Sequence, residues 1–165
     1  MSAAIIREEK PDDAIAIQKL HRAEFSGNAE AYLVEEMRGS GKVLLSLIVE
    51  DGGKIVGHVL YSKITIDGIE NAAALGPIAV DDGHQKRGFG SQLIEEAHRR
   101  LPAMGIAIVF VLGDPAYYKR FGFSAQQATA FHTPYDGPYM QSVKLSRDAP
   151  PSGTLVYPSP FAKFD

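Results

Sequence analysis

The stretch "LGPIAVDDGHQKRGFGSQL", residues 75–93, joins an apolar run, a cluster of small and basic residues and the start of a helical pattern. His84, Lys86 and Arg87 lead into Gly88-Phe89-Gly90, in a chain whose net charge is -3. A glycine-rich turn between a strand and a helix suits an anion. The first N–H groups of a helix have no intrahelical partner, and the helix dipole favours negative charge there. Glycine also lets a ligand approach the backbone closely. Two familiar phosphate loops do not fit. A Walker loop needs Gly-Lys-Ser/Thr after its spacers, and a Rossmann fingerprint needs a glycine where Leu93 stands. In isolation such a stretch is ordinarily a turn with solvated charges; flanks that read independently as strand and helix favour an anion site.

Working outward, "NAAALGPIAV" (71–80) reads as the strand before the loop. Pro77 within it implies an edge or a bulge, because a missing N–H is tolerated there. After the loop, Phe89, Leu93, Ile94, Ala97 and Leu101 repeat at helical spacing up to Pro102 and Gly105. Glu95–Arg99 and Glu96–Arg100 are expected as i,i+4 pairs. "IAIVFVL" (106–112) is a continuous apolar run, as in a strand buried on both faces. The unit over 72–112 is therefore a parallel strand–helix–strand crossover. Upstream, residues 4–8 read as an edge strand and Pro11 opens a helix to about residue 25. A break at Ser26-Gly27-Asn28 precedes a second helix, Ala29–Arg38, closed by Gly39-Ser40-Gly41. "VLLSLIVED" (43–51) and "KIVGHVLYSKITI" (54–66) form a hairpin about Gly52-Gly53. Downstream, "AYYKRFGF" is a short helix after Gly113-Asp114-Pro115, with Asp114 as its cap. The last forty residues are loop-rich with one strand at 139–145, and their aromatics are expected to cover the core.

The 165 residues fit one domain, 1–165. The balance of 45% hydrophobic and 22% charged residues is that of a soluble globular chain. An acidic net charge argues against a general nucleic-acid binder. No run approaches a membrane span, and the acidic N-terminus lacks a signal-peptide layout, so a cytoplasmic protein without membrane partners is expected. The absence of cysteine excludes disulfides and a thiol nucleophile. The five histidines have no metal-ligand spacing, and no metal is expected.

The segment 75–93 resembles the signature of the GNAT superfamily of acetyl-CoA-dependent N-acetyltransferases. Gln85-Lys86-Arg87-Gly88-Phe89-Gly90 matches its Gln/Arg-x-x-Gly-x-Gly/Ala core. "YYKRFGF" (117–123) is similar to the family's Tyr-x-Lys/Arg-x-Gly-Phe ending. The resemblance covers about residues 4–127, most strongly 72–127. It implies an α/β (mixed α+β) fold: a mostly antiparallel twisted sheet whose strands 71–80 and 106–112 form a parallel, splayed pair, with flanking helices. It further implies that the coenzyme A pyrophosphate sits on the amides of Lys86, Arg87, Gly88, Gly90 and Ser91, around Phe89 and beside the Gln85 side chain. The pantetheine arm would pair with Ile78, Ala79 and Val80, chiefly through the main chain of Ile78 and Val80. A bulge at Gly76-Pro77 would open the slot. Where many members carry an asparagine seven residues before the tyrosine, this chain has Val111.

Acetyl transfer to an amine needs a polarised carbonyl, a proton for the departing thiolate and a sink for the amine proton. The resemblance assigns the first to the Ile78 amide and the second to the Tyr118 phenol, protonated at neutral pH. Tyr117 remains the alternative for the slot. Glu30, Glu35, Glu70 and His58 are candidate bases, a water relay would also serve, and none is singled out. The activity implied is acetyl transfer from acetyl-CoA to a primary amine of a small molecule or protein; the alternative is a non-catalytic acetyl-CoA-binding module. Phe131, Tyr135, Tyr139 and Phe161 either wall an acceptor pocket or cover the sheet, and covering is the expectation. Homodimers are common in the family.

Overall fold

The computed structural model describes residues 4–25 and 27–163. Met1–Ala3 of the acidic N-terminus and Ser26 of the interhelical break lie outside the described residues. The chain runs β1 (Ala4–Glu8), α1 (Ala14–Glu24), α2 (Ala29–Ser40), β2 (Val43–Asp51), β3 (Lys54–Ile66), β4 (Ile69–Val80), α3 (Phe89–Arg100) and β5 (Ile108–Leu112). It continues through α4 (Pro115–Tyr118), α5 (Ala125–Ala128), β6 (Phe131–His132), β7 (Met140–Lys144) and β8 (Gly153–Val156). The main sheet has the order β1-β2-β3-β4-β5-β7, antiparallel except for the β4–β5 pair. β8 pairs with the far end of β3, at Thr65 and Ile66, beyond the last partner of β2.

Period-2 alternation divides the core between the two faces of the sheet. Leu47, Val49, Val59 and Tyr61 face α3, where they meet Leu93 and Ala97. Ile48 and Leu60 face the other way, toward Ile17 of α1 and Leu33 and Met37 of α2. Each such buried aliphatic side chain contributes roughly 1.5–3 kcal/mol.

β4 breaks the alternation at one place. Leu75 pairs with Tyr61 and Ile78 with Val59, so three steps on β4 oppose two on β3. That is a bulge with one extra residue, and it falls on Gly76-Pro77, whose peptide bond is cis. β5 pairs with β4 only from Ala72 to Leu75. Beyond the bulge the two strands part, and the segment 76–80 has an open edge.

Several expectations need correction. α2 continues through Gly39 and Ser40, and only Gly41 takes the left-handed cap. β5 starts at Ile108, although Ile106 and Ala107 are buried, and Leu112 is largely exposed. Arg99 and Arg100 both bind Glu96, which accepts from Arg100 Nε at 2.7 Å. The aromatic tail contains α5, β6 and β8 in addition to the expected strand at β7.

Candidate active site

The loop between β4 and α3 is shaped by its backbone. Lys86 and Gly88 both have positive φ, 65° and 80°. Gln92 N–H donates to Gly88 O at 3.0 Å, the first bond of α3, so the amides of Phe89, Gly90 and Ser91 have no helical acceptor. The loop is also fastened from below. The Gln85 side-chain amide donates to Val80 O at 3.0 Å and to Glu24 Oε1 at 2.8 Å, while Glu24 Oε2 accepts from Asp82 N at 3.0 Å. Glu24, at the end of α1, was not anticipated from the sequence.

This loop forms one wall of a cleft of about 400 Å³. Ile78, Ala79, Val80, Gln85 and Lys86 line it, and Gly88–Ser91 close its end. His84 of the basic cluster, Tyr117 and Arg120 complete it; Arg120 was not anticipated there, and Tyr117 only as the alternative for the thioester slot. The Tyr117 hydroxyl bonds Ser91, and the Arg120 guanidinium lies over its ring at 4.7 Å. Burial raises the Tyr117 phenol. A Cβ on Gly90 would stand 2.9 Å from the Tyr117 oxygen, so this close approach requires glycine. His84 Nδ1 lies 2.8 Å from Asp81 Oδ2, a bond that holds the Asp81 carboxyl below its usual range. Arg87 lies over the Phe89 ring at 5.1 Å, with Asp51 at 3.7 Å, and its side chain does not line the cleft.

The direction of the β4 main chain follows from the hydrogen-bond pattern. Asp81 N–H donates to Val56 O at 2.7 Å, so this pair belongs to the hydrogen-bonded set. Alternation along an antiparallel ladder then places Ala79/His58 in the same set and Ile78/Val59 and Val80/Gly57 in the other. Ile78 and Val80 thus turn their N–H and C=O groups away from β3, toward the open edge. The Val80 carbonyl, met there by Gln85, agrees. Ala79 lines the cleft, but its main-chain groups are spent on His58.

Ile78 also lines a second cavity, of about 320 Å³, which opens where β4 and β5 part. Leu75, Gly76 and Pro77 form one wall and Phe110–Leu112 another. Tyr118 faces this slot, whereas Tyr117 faces the phosphate cleft. Asp114 caps α4, accepting from Ala116 N at 2.9 Å, and so fixes the helical phase that separates the two rings. Burial, with a contribution from Tyr117, pushes the Tyr118 phenol up to about 12.

The candidate bases separate clearly. His58 is fully buried; its Nδ1 is 2.8 Å from His21 Nε2 and its Nε2 is 2.8 Å from Ser46 Oγ. Burial, then the neighbouring His21 and Arg38, holds it well below the usual histidine range. Glu35 is paired with Arg38, and exposed Glu70 with Lys63 at 2.9 Å. Glu30, in the first turn of α2, lines the slot. Its phase was readable: Glu30, Leu33, Val34 and Met37 form one helical stripe, whereas Glu35 lies off it. The aromatic tail does both jobs proposed for it. Phe131 packs on Phe110 at 5.0 Å, Tyr135 and Phe161 line the slot, and Tyr139 is exposed.

The acetyltransferase (GNAT) family model matches residues 14–123. The Escherichia coli K12 N-acetyltransferase YhbS is 39% identical over 121 residues, 72% of either chain. A crystal structure of Escherichia coli YhbS in complex with CoA superposes with a TM-score of 0.91 at 32% identity, over 100% of this chain and 95% of that one. A GNAT family acetyltransferase from Brucella melitensis in complex with acetyl-CoA gives a TM-score of 0.82 at 31% identity, over 96% of this chain and 98% of its own. Among the described residues, no helix is long and apolar enough to cross a membrane.

Proposed function

Because the chain belongs to the GNAT acetyltransferase family, we propose that it moves the acetyl group of acetyl-CoA onto a primary amine of a small molecule or protein, by direct attack in a ternary complex, with residues 1–165 as one catalytic domain. The observation that carries this reading is the open edge of β4. The Ile78 and Val80 main chain faces that edge, with only the Val80 carbonyl met by Gln85, between a cleft lined by helix-start amides and a slot lined by Tyr118. The residues fit the cosubstrate: an extended amide-bearing arm meets strand donors and acceptors, and a pyrophosphate meets helix-start amides. The CoA-bound and acetyl-CoA-bound relatives share this fold. The bound thioester supplies the activated acetyl group.

The roles of the chain's own groups follow. Lys86, Arg87, Gly88, Gly90 and Ser91 offer backbone N–H groups to the phosphates, with Phe89 anchoring the start of α3. Gln85 and Glu24 hold that loop against β4 and α1. The Ile78 N–H is the donor for the developing oxyanion, worth roughly 10²–10³ in rate where such donors have been removed. The Tyr118 phenol donates to the departing sulfur. With its phenol near 12, complete transfer to a thiolate of ordinary basicity is uphill by about 5 kcal/mol. Its contribution is therefore a hydrogen bond that strengthens as charge develops, and solvent completes the protonation. The chain has no cysteine to carry the acetyl group as a thioester.

Calorimetry with acetyl-CoA, NAD and ATP, together with thiol release over an amine panel, tests this. Binding of acetyl-CoA alone, with amine-dependent release, is the expected result. Tight acetyl-CoA binding with no release on any amine would point to the non-catalytic module.

A further inference from the structure

The wall of the slot opposite β4 is strongly apolar. Phe25, Leu33, Tyr135, Tyr157 and Phe161 form it, and among the described residues Glu30 is the only charged group that lines the cavity. Among the residues whose side chains are described, which leaves out Lys163, no ion pair or hydrogen bond engages the Glu30 carboxylate, whereas Glu9, Glu24, Glu35, Glu50, Glu70 and Glu96 all hold partners. Glu30 is half-buried, and its carboxylate is open to a cationic ligand in the cavity.

The tail closes the far side. Its last turn, Ser159–Lys163, lies against α2, and Phe161 packs on both the α1–α2 core and the core beneath β5. Tyr157 joins Phe161 at 5.4 Å and Tyr135 at 4.8 Å, edge to face. Burial raises the Tyr157 phenol, which bonds Thr133. This aromatic bridge runs from α2 to the core beneath β5 and lines the slot.

From this arrangement we infer that the acceptor is a small monoamine with an aromatic or similarly bulky apolar body, and that Glu30 binds its ammonium and holds it at the slot. The inference rests on the acetyl-transfer reading and specifies its acceptor. A polyamine or an aminoglycoside would carry cations past Glu30 into an apolar wall with no second carboxylate. A peptide lysine would bring its polar main chain against the apolar wall of Tyr135, Tyr157 and Phe161. Flat rings suit the edge-to-face aromatic lining. In the step itself, the ammonium held by Glu30 releases one proton to solvent, and the neutral nitrogen forms its bond to the carbonyl carbon as the carbon–sulfur bond breaks. Tyr118 supplies hydrogen bonding to the sulfur. The second nitrogen proton leaves as the amide forms and the thiol is protonated, so one proton is released per turnover.

The test is thiol release from acetyl-CoA with 2-phenylethylamine, spermidine and a short lysine-containing peptide, for the wild type, Glu30→Gln and Glu30→Asp. The wild type is expected to favour 2-phenylethylamine in kcat/KM by at least about tenfold. Glu30→Gln should lower that value roughly 10- to 100-fold, the scale of a charge-assisted contact, and leave acetyl-CoA affinity within about twofold. Glu30→Asp should recover part of the loss. Equal or better use of spermidine or the peptide would overturn the acceptor class while leaving acetyl transfer intact. An unchanged kcat/KM in Glu30→Gln would remove Glu30. If acetyl-CoA binds but no amine releases thiol, the transfer reading fails with it.

Discussion

Gly113 tests how Tyr118 is held. A Cβ built on Gly113 would stand 2.5 Å from Tyr118 Cε2 and 3.1 Å from Cδ2, where ordinary contact begins near 3.4 Å. The backbone cannot readily yield: Gly113 N donates to Tyr139 O at 3.1 Å and Gly113 O accepts from Gln141 Nε2 at 3.0 Å. The ring must therefore move by roughly 1 Å, against Tyr117 and Phe123, which meet it edge to face at 4.9 and 5.7 Å. Overpacking of this kind costs about 1–3 kcal/mol, partly offset by the reduced freedom of an unfolded alanine. A displacement of about 1 Å at a reacting group costs about 10²-fold in rate, or roughly 2.7 kcal/mol in the barrier. Gly113→Ala should thus remain folded at 25 °C yet lose about 100-fold in kcat. Steady-state thiol release at saturating acetyl-CoA measures this, beside Tyr118→Phe and the double variant. If the lost function is the positioned hydroxyl, the double variant should fall within about threefold of Tyr118→Phe. A wild-type kcat in Gly113→Ala, or a further 100-fold loss in the double variant, would refute the reasoning.

Other expectations follow from the same contacts. Burial holds His21 and His98 at about 4, and His58 well below its usual range. The unfolded chain binds protons first, so stability is full above about pH 6.5 and is lost as pH falls toward 4, by roughly 2 kcal/mol between pH 7 and 5 for each independently titrating histidine; a urea midpoint unchanged over that interval would contradict this. Gln85→Ala should weaken acetyl-CoA binding roughly 5- to 10-fold by calorimetry, through loss of the Val80 and Glu24 contacts, and Glu24→Ala should add little to it. Gly90→Ala should fold, because the Tyr117 hydroxyl that it meets is the end of a side chain, but bind acetyl-CoA at least about tenfold more weakly; native affinity would remove Gly90 from the phosphate cleft. Tyr117→Phe should affect acetyl-CoA affinity more than kcat, and Tyr118→Phe the reverse, with kcat lowered by about 10²-fold or more.

The sequence was most legible where one local signal dominated. β2 and β3 fall on the residues expected, because β-branched alternation meets a Gly-Gly turn with positive φ at both positions, 60° and 81°. Pro77 implied an edge or a bulge; the structure has the bulge, in an interior strand whose outer edge is exposed only beyond Leu75. β6 and β8, of two and four residues, are too short to show a period, and β8 forms because β3 outruns β2. Tyr117 and Tyr118 could not be sorted from a four-residue helix; the Asp114 cap sets their phase. Glu24 meets Gln85 across 61 positions of chain, a contact that only the packed fold brings together. His58, one of four candidate bases in the sequence and more readily an ordinary hairpin residue, has both its ring nitrogens used inside the core.

The most direct test of acetyl transfer through this site is a single turnover. The protein is loaded with one equivalent of acetyl-CoA and mixed with an accepted amine, while free thiol, N-acetyl product and intact protein mass are followed together. The expected result is one equivalent each of thiol and N-acetyl product, formed at the same rate, with no change in protein mass. Protein heavier by one acetyl group before product appears, or thiol release without acetylated amine, would contradict direct transfer in the slot between β4 and β5.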